Sequence, residues 1–169
     1  MSIIGLVTEN KKFIENILLN NFIQNHVILT INKENIDSIR NVKFETILIN
    51  TDNKKVFNNV DSLKKILSNT KYLIINSDLK LDLDFIKDSK IIILTYGLNH
   101  KATVTLSSME NDQIFLCLQR SVKDILNNKI ESQEFNISNL AKEKNLDIYD
   151  ILGISTILLL YNKLEIITG

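Results

Sequence analysis

The sequence predicts an α/β protein in which a mostly parallel sheet is followed by an antiparallel extension. In residues 1–100, short apolar runs alternate with segments of helical periodicity. Residues 102–107 then alternate strictly between apolar and polar, which is typical of a strand with one covered face. With 169 residues, 44% of them hydrophobic, the chain can bury a sizeable core. We therefore predict a single domain over residues 1–169, with a parallel part at 1–100 and an extension at 101–169.

Five apolar runs predict the strands of the parallel part. Helical patterns separate them at residues 13–22, 32–42 and 54–68, and residues 81–86 indicate a short helix or turn. Strands that alternate with helices form βαβ units with right-handed crossovers. We therefore predict a Rossmann-like, five-stranded sheet with helices on both faces, and we expect the first and fifth runs to be buried. The runs are residues 3–7, 26–29, 44–49, 72–75 and 91–94.

The extension is predicted to begin with a hairpin. Residues 103–108 and 113–120 flank a turn at 110–112. A meander is predicted to continue it through residues 122–126 and 133–137. A short helix is predicted at residues 138–144, and an edge strand at residues 164–167. The stretch that begins at Asp147 and ends at Lys163 is apolar nearly all round. It predicts a helix packed into the core or against a partner, either a second copy of the chain or another protein.

Composition excludes several classes of function. The formal net charge is zero, with 20 basic and 20 acidic residues, and Arg40 and Arg120 are the only arginines, so we expect no nucleic-acid partner. No apolar run approaches the roughly 20 residues that span a bilayer, and no signal peptide is evident, so we expect a cytoplasmic protein. The single cysteine, Cys117, cannot form a disulfide within the chain and is expected to be a small buried hydrophobic residue.

Phosphate-binding and metal-binding motifs are absent from the sequence. Residues 7–12 follow the first strand without a glycine, so they form neither a P-loop nor a dinucleotide fingerprint, and Glu9 would repel a phosphate. The two histidines have no further ligands at metal-binding spacing, so no metal site is predicted. Asp82 and Asp84 form either a carboxylate cluster for Mg²⁺ or acid–base chemistry, or a solvated turn.

The candidate site lies where the fourth and fifth strands end, because ligands of parallel sheets bind at the carboxyl ends of the strands. The loop that begins at Tyr96 and ends at Lys101 combines several rare residue types. His100 can act as an acid or base, Lys101 can meet an anion, and Gly97 can permit a left-handed turn. No catalytic set can be assigned. The predicted ligand-binding residues are Asn76, Asp78, Thr95, Tyr96, Gly97, Asn99, His100, Lys101 and Arg120.

Two short motifs carry a resemblance to a known family. The fourth strand ends in Asn-Ser-Asp-Leu at residues 76–79, and the fifth runs into Thr-Tyr-Gly at residues 95–97. In this order, and with an antiparallel segment and a helix after them, residues 72–160 resemble the later part of the central domain of the Mur ligases, ATP-dependent enzymes of peptidoglycan-precursor synthesis. Leu79 replaces the second Asp of the family's Asn-x-Asp-Asp motif. The Gly-Lys-Thr phosphate loop is absent, and there is no room for the family's other domains.

The resemblance implies a shortened relative in which Asn76 and Asp78 lie near the adenine and ribose of a nucleotide. The first hypothesis is therefore a non-catalytic, Mur-ligase-like binding module that recognises a nucleotide-linked small molecule or a protein of cell-envelope synthesis. One alternative is a small enzyme that uses the loop from Tyr96 to Lys101. Another is a receiver-like signalling or protein-interaction domain, although only Glu9 stands where such a domain carries an acidic pair. No cofactor is assigned.

Overall fold

The computed structural model describes residues 2–10, 14, 18, 26–52, 58–87, 89–110, 113–137 and 146–166. It confirms an α/β fold with mostly parallel strands, two helices and an antiparallel hairpin. The chain divides into two compact units, one of Met1–Ile75 with Leu79–Ile93 and one of Asn76–Asp78 with Leu94–Gly169. The predicted single domain stays a prediction.

Parallel strands build the first unit. They are β1 (Ser2–Thr8), β2 (His26–Thr30), β3 (Thr46–Asn50) and β4 (Tyr72–Asn76), in the order β2-β1-β3-β4. β1 pairs in parallel with both β2 and β3, and β3 pairs in parallel with β4. Each strand coincides with a predicted apolar run, and the interior residues of β3 are fully buried, as expected for a strand with both faces covered.

One regular helix of the first unit, α1 (Val60–Ser68), packs on these strands. Its Leu63, Ile66 and Leu67 recur at helical spacing and are buried in the same hydrophobic cluster as Ile47 and Leu73. The Asn59 side chain accepts a hydrogen bond from the Ser62 N–H at 3.4 Å, which caps the first turn. The helix was predicted over residues 54–68, and residues 53–57 lie outside the described part of the chain. Of the predicted helix at residues 13–22, the structure describes two helical, buried residues, Ile14 and Leu18.

The helix predicted at residues 32–42 is wrong, because this segment forms a series of turns. Helical hydrogen bonds do occur from the Ile36 N–H to the Asn32 oxygen at 3.0 Å and from the Ile39 N–H to the Asn35 oxygen at 3.1 Å. Asn and Ser side chains, however, form hydrogen bonds with neighbouring backbone groups. The Asn35 amide donates to the Thr30 oxygen at 2.7 Å, and the Ser38 hydroxyl donates to the Asn35 oxygen at 2.7 Å. Such local bonds compete with a continuous helix.

The fifth apolar run forms β5 (Ile92–Tyr96), but its first half is not buried as predicted. Ile92 and Ile93 are 49% and 46% exposed, whereas Leu94 and Tyr96 are buried. An apolar run indicates a strand but not whether another element covers it, which explains the error. Before β5, residues Asp84–Ile86 form the predicted short 3₁₀ helix.

The second unit contains β6 (Val104–Glu110), β7 (Gln113–Leu118) and β10 (Gln133–Asn136), which follow β5 in the order β5-β6-β7-β10. β6 and β7 form the predicted antiparallel hairpin, and β10 pairs antiparallel with β7. Among the described strands, β8 (Val122–Lys123) and β9 (Lys129–Ile130) pair with each other and not with the larger sheet. The predicted meander is therefore interrupted. The reason is a tight turn in which the buried Asp124 carboxylate accepts the N–H groups of Leu126 and Asn128, both at 2.8 Å.

The apolar helix predicted from Asp147 onward is α2 (Ile148–Leu160). Asp147 and Asp150 form a reciprocal capping box at its start, and every residue from Asp150 to Leu160 is buried. This burial occurs within one chain, as expected for a helix packed into the core, and the homodimer or protein partner stays a prediction. No helix in the described residues is long and apolar enough to span a bilayer.

The edge strand predicted at residues 164–167 is wrong, since Leu164–Ile166 form a 3₁₀ helix. The cause is the way α2 ends. Asn162 adopts a left-handed conformation, with φ of 57°, and the Lys163 N–H reaches back to the Leu158 oxygen at 2.7 Å. This Schellman-type ending reverses the chain. The helix predicted at residues 138–144 and the last residues of the chain lie outside the described residues.

Candidate functional site

The second unit brings together the two polar segments that the sequence singles out. Asn76 is the last residue of β4, residues 77–78 follow it, and residues 95–99 form the end of β5 and the turn after it. The Ser77 N–H donates to the Tyr96 carbonyl oxygen at 2.8 Å, and the Ser77 hydroxyl donates to the same oxygen at 3.1 Å. The predicted side-by-side placement of Asn76–Asp78 with Thr95–Gly97 is therefore what the structure has.

The Asp78 carboxylate is the centre of this arrangement. One oxygen accepts the Leu98 N–H at 2.6 Å, and the other accepts the Asn99 side-chain amide at 2.6 Å. Tyr149, in the first turn of α2, bonds to the same carboxylate. Asn99 also donates to the Ser77 hydroxyl at 2.8 Å, and its oxygen accepts the Lys101 N–H at 2.9 Å. Ser77, Asp78, Asn99 and Tyr149 are hereafter called the Asp78 cluster. Their hydrogen bonds hold the turn at residues 97–101 in place.

These bonds change the acidity of both partners. Partial burial alone would raise the pKa of Asp78, but hydrogen bonds from Asn99, Leu98 and Tyr149 outweigh burial and hold that pKa below its ordinary value. Burial and then the charge of Asp78 raise the pKa of Tyr149. Asp78 therefore stays ionised and Tyr149 stays protonated near neutral pH, which is the combination that their hydrogen bond requires.

A pH dependence of stability follows from the lowered pKa of Asp78. A carboxyl group with a depressed folded-state pKa stabilises the protein above its unfolded pKa of about 3.9, and this contribution is lost as the pH falls through the folded pKa. We expect Asp78→Asn to lower the free energy of unfolding at pH 7, with the difference from wild type shrinking as the pH falls towards 3. Urea unfolding of both proteins at several pH values measures this difference. A difference that is constant with pH would contradict a lowered pKa of Asp78.

Gly97 does not have the left-handed conformation that we predicted for it, because no glycine in the described residues has a positive φ. Gly97 is required here because there is no room for a side chain. A Cβ atom at this position would lie 2.9 Å from an Asp78 carboxylate oxygen and 2.9 Å from the Ser77 hydroxyl oxygen. Gly97 is therefore needed because only a residue without a side chain lets the turn approach Asp78 so closely.

Three predicted site residues lie in the interior. Asn76 is 2% exposed, and its side-chain oxygen accepts the Asp78 N–H at 3.0 Å. Thr95 is half-buried and bonds to Thr103, with 2.9 Å between the Thr103 nitrogen and the Thr95 hydroxyl oxygen. Tyr96 is fully buried; burial, and then the charges of Asp150 and Asp147, raise its pKa well above the ordinary value. These residues support the turn rather than face solvent.

The remaining predicted residues form an exposed surface that we call the cationic face, made of His100, Lys101 and Arg120. The Arg120 guanidinium donates to the Lys101 carbonyl oxygen, which ties the end of β7 to the turn. Leu98, beside these residues in the chain, is 47% exposed. The cationic face therefore offers two permanent positive charges and an apolar side chain on one fixed turn.

The sequence reasoning missed Tyr149, which completes the Asp78 cluster. The available signal was a tyrosine in the first turn of a helix that is otherwise almost entirely apolar. Such a residue commonly places its hydroxyl on a polar partner while its ring packs with the helix.

The other candidate residues that the structure describes form no metal site. The Asp82 carboxylate accepts the Asp84 N–H at 3.2 Å, and the exposed Asp84 pairs with Lys87 at 2.9 Å, which agrees with a solvated turn. His26 bonds to the Ser2 hydroxyl within the first unit. Among the described residues, no group of three His, Cys, Asp or Glu side chains could hold a metal ion.

The Asp78 cluster and the cationic face are the features of the structure that bear on function. In comparisons with protein-family models and with curated proteins, nothing matches the chain.

Proposed function

We propose that this chain is a non-catalytic, Mur-ligase-like binding module that recognises a nucleotide-linked small molecule at the cationic face. The proposal includes a five-stranded Rossmann-like sheet with helices on both faces and a ligand at the carboxyl ends of its strands. One observation carries it. The turn at residues 97–101 is fixed by the Asp78 cluster and presents Lys101 and Arg120 to solvent, joined by the bond from Arg120 to the Lys101 carbonyl.

Two cationic side chains carried by a fixed turn suit a phosphate group. Arginine and lysine form charge-assisted hydrogen bonds with phosphate oxygens, and binding is stronger when the groups are already held in place. The proposed phosphate contacts are therefore Lys101 and Arg120, with the exposed Leu98 available to the apolar face of a base. Asn76 and Asp78, which the resemblance places near adenine and ribose, already have internal partners. In this proposal they shape the turn, and the ligand lies on its outer side.

Binding is favoured over catalysis by the surroundings of His100. A catalytic histidine is normally oriented by a second group and hydrogen-bonded to the atom it activates. No group in the described part of the chain hydrogen-bonds to the exposed His100 side chain. Tyr96, another titratable side chain of the loop, is fully buried. The alternative of a small enzyme would require turnover that His100→Ala abolishes while the protein stays folded.

The proposal is tested by thermal-shift and calorimetric titration with ATP, UDP-sugars and UDP-muramoyl peptides. A ligand that binds only the folded state raises its stability, so at least one of these compounds is expected to raise the Tm. We expect Lys101→Ala/Arg120→Ala to weaken that binding by about tenfold or more, which corresponds to roughly 1.4 kcal/mol. The effect should weaken with added salt.

The matched control is Arg40→Ala/Lys123→Ala, which removes the same two residue types from exposed positions outside the cationic face. It should leave the affinity unchanged. Equal losses in both double variants would mean that overall charge, not the cationic face, attracts the ligand. If no compound at millimolar concentration shifts the Tm, the nucleotide proposal fails. The protein-partner and receiver-like alternatives would then be the ones to pursue.

A further inference from the structure

The first unit contains a cleft that the proposed function does not use. Its volume is about 650 Å³, within the range of about 300–1,000 Å³ typical of small-molecule sites. Asp52 lies just beyond the end of β3, and Val60 is the first residue of α1, so the cleft opens at the carboxyl end of a parallel strand. This is the edge at which such sheets bind ligands. The described lining residues are Asp52, Val60, Leu63, Lys80, Leu81, Asp82, Asp84 and Phe85.

Apolar side chains form the floor of the cleft. Leu63 belongs to the buried core, and Leu81 and Phe85 pack against that core while remaining partly exposed. Val60, at the mouth, is 49% exposed. An apolar body placed on this floor would remove the exposed parts of these side chains from water, which is favourable in proportion to the area covered.

Among the described lining residues, the charged groups are three carboxylates, those of Asp52, Asp82 and Asp84, and one ammonium group, that of Lys80. Asp84 is paired with Lys87 at 2.9 Å, and one oxygen of Asp82 accepts the Asp84 N–H at 3.2 Å. No group in the described part of the chain bonds to the Asp52 carboxylate. Among the described lining residues, Asp52 and the second oxygen of Asp82 are therefore acceptors that the cleft can offer to a ligand.

We propose that this cleft binds an organic cation, a ligand with an amino or guanidinium group on a hydrocarbon or aromatic body. The body lies on Val60, Leu81 and Phe85, and the cationic group faces Asp52 and Asp82. A bare metal ion fits less well, because no group of three acidic, His or Cys side chains in the described residues could hold one. This site is opposite in charge to the cationic face, and the proposal does not depend on the proposed function.

The test compares three probes of equal shape by isothermal titration calorimetry: 4-phenylbutylamine, the neutral 4-phenylbutanol and the anionic 4-phenylbutyrate. We expect the amine to bind about tenfold more tightly than the alcohol, and the carboxylate to bind most weakly. Asp52→Asn/Asp82→Asn should remove the advantage of the amine over the alcohol. The control Glu34→Gln/Glu110→Gln changes net charge equally at exposed positions outside the cleft and should preserve it.

A second variant and a second measurement locate the binding. Val60→Lys places an ammonium group at the mouth of the cleft and should abolish amine binding while the Tm stays close to that of the wild type, because Val60 is exposed. Backbone amide shifts on adding the amine should be largest at residues 52, 60 and 80–85. Equal affinities for amine and alcohol, unchanged binding by Asp52→Asn/Asp82→Asn, or no binding of the amine at about 10 mM would each overturn the proposal.

Discussion

Leu158→Ala is expected to lower the free energy of unfolding by about 2–5 kcal/mol, because it opens a cavity in a buried helix. Leu158 is fully buried near the end of α2, and the residues around it in the helix are buried as well. The loss combines the transfer free energy of the removed methyl groups with the cost of the space they leave, since a packed interior relaxes only partly. Urea unfolding followed by far-UV circular dichroism measures it as a lower midpoint with an unchanged slope.

The control for this substitution is Leu126→Ala, the same chemical change in the same unit at a side chain that is 73% exposed. It should change the free energy of unfolding by no more than about 0.5 kcal/mol. If both substitutions cost the same, α2 is not part of the core of the second unit.

Gly97→Ala is expected to cost about 1–3 kcal/mol of stability, as overpacking of a tight contact usually does. The new methyl group would lie 2.9 Å from an Asp78 oxygen that already accepts the Leu98 N–H at 2.6 Å. A carboxylate at the end of a free side chain would simply move away. Here it is held by bonds from both sides, so making room means breaking one of them. Thermal and urea unfolding measure the loss.

A double-mutant cycle shows whether Asp78 is the cause. In an Asp78→Ala background, the oxygen closest to the new methyl group is gone, so Gly97→Ala should cost clearly less than it does in the wild type. Some cost will remain, because the Ser77 hydroxyl oxygen is also 2.9 Å from the new atom. An equal cost in both backgrounds would show that Gly97 and Asp78 do not interact, since independent sites are additive.

The parallel strands could be predicted from the sequence because a strand that is buried on both faces consists mostly of consecutive apolar residues. β1, β3 and β4 are continuous runs of apolar and β-branched residues, and few other structures use such a pattern. The helix α2 was predictable for a similar reason. The turns at residues 32–42 were not, because their outcome depends on side chains such as Asn35 bonding to the backbone of a neighbouring strand. No local periodicity reports that competition.

The candidate site was predictable as a group of residues but not in its division of roles. Strand ends pointed to Asn76, Asp78 and Tyr96, and the structure has them in one unit. One partner of Asp78 is Tyr149, which is distant in the sequence and which no motif connects to it. The fixed parts of the site therefore come from tertiary packing, whereas the exposed cations at Lys101 and Arg120 could be identified from residue type and position alone.

The bond between Asp78 and Tyr149 also has a consequence for motion. Tyr149 lies in the first turn of α2, next to the Asp147 and Asp150 capping box, while Asp78 holds the turn at residues 97–101. Opening that turn removes a partner from the start of the helix, and fraying of the helix start removes a donor from the turn. We therefore expect these two segments, which are far apart in the sequence, to open and close together, because each provides the other with a hydrogen-bond partner.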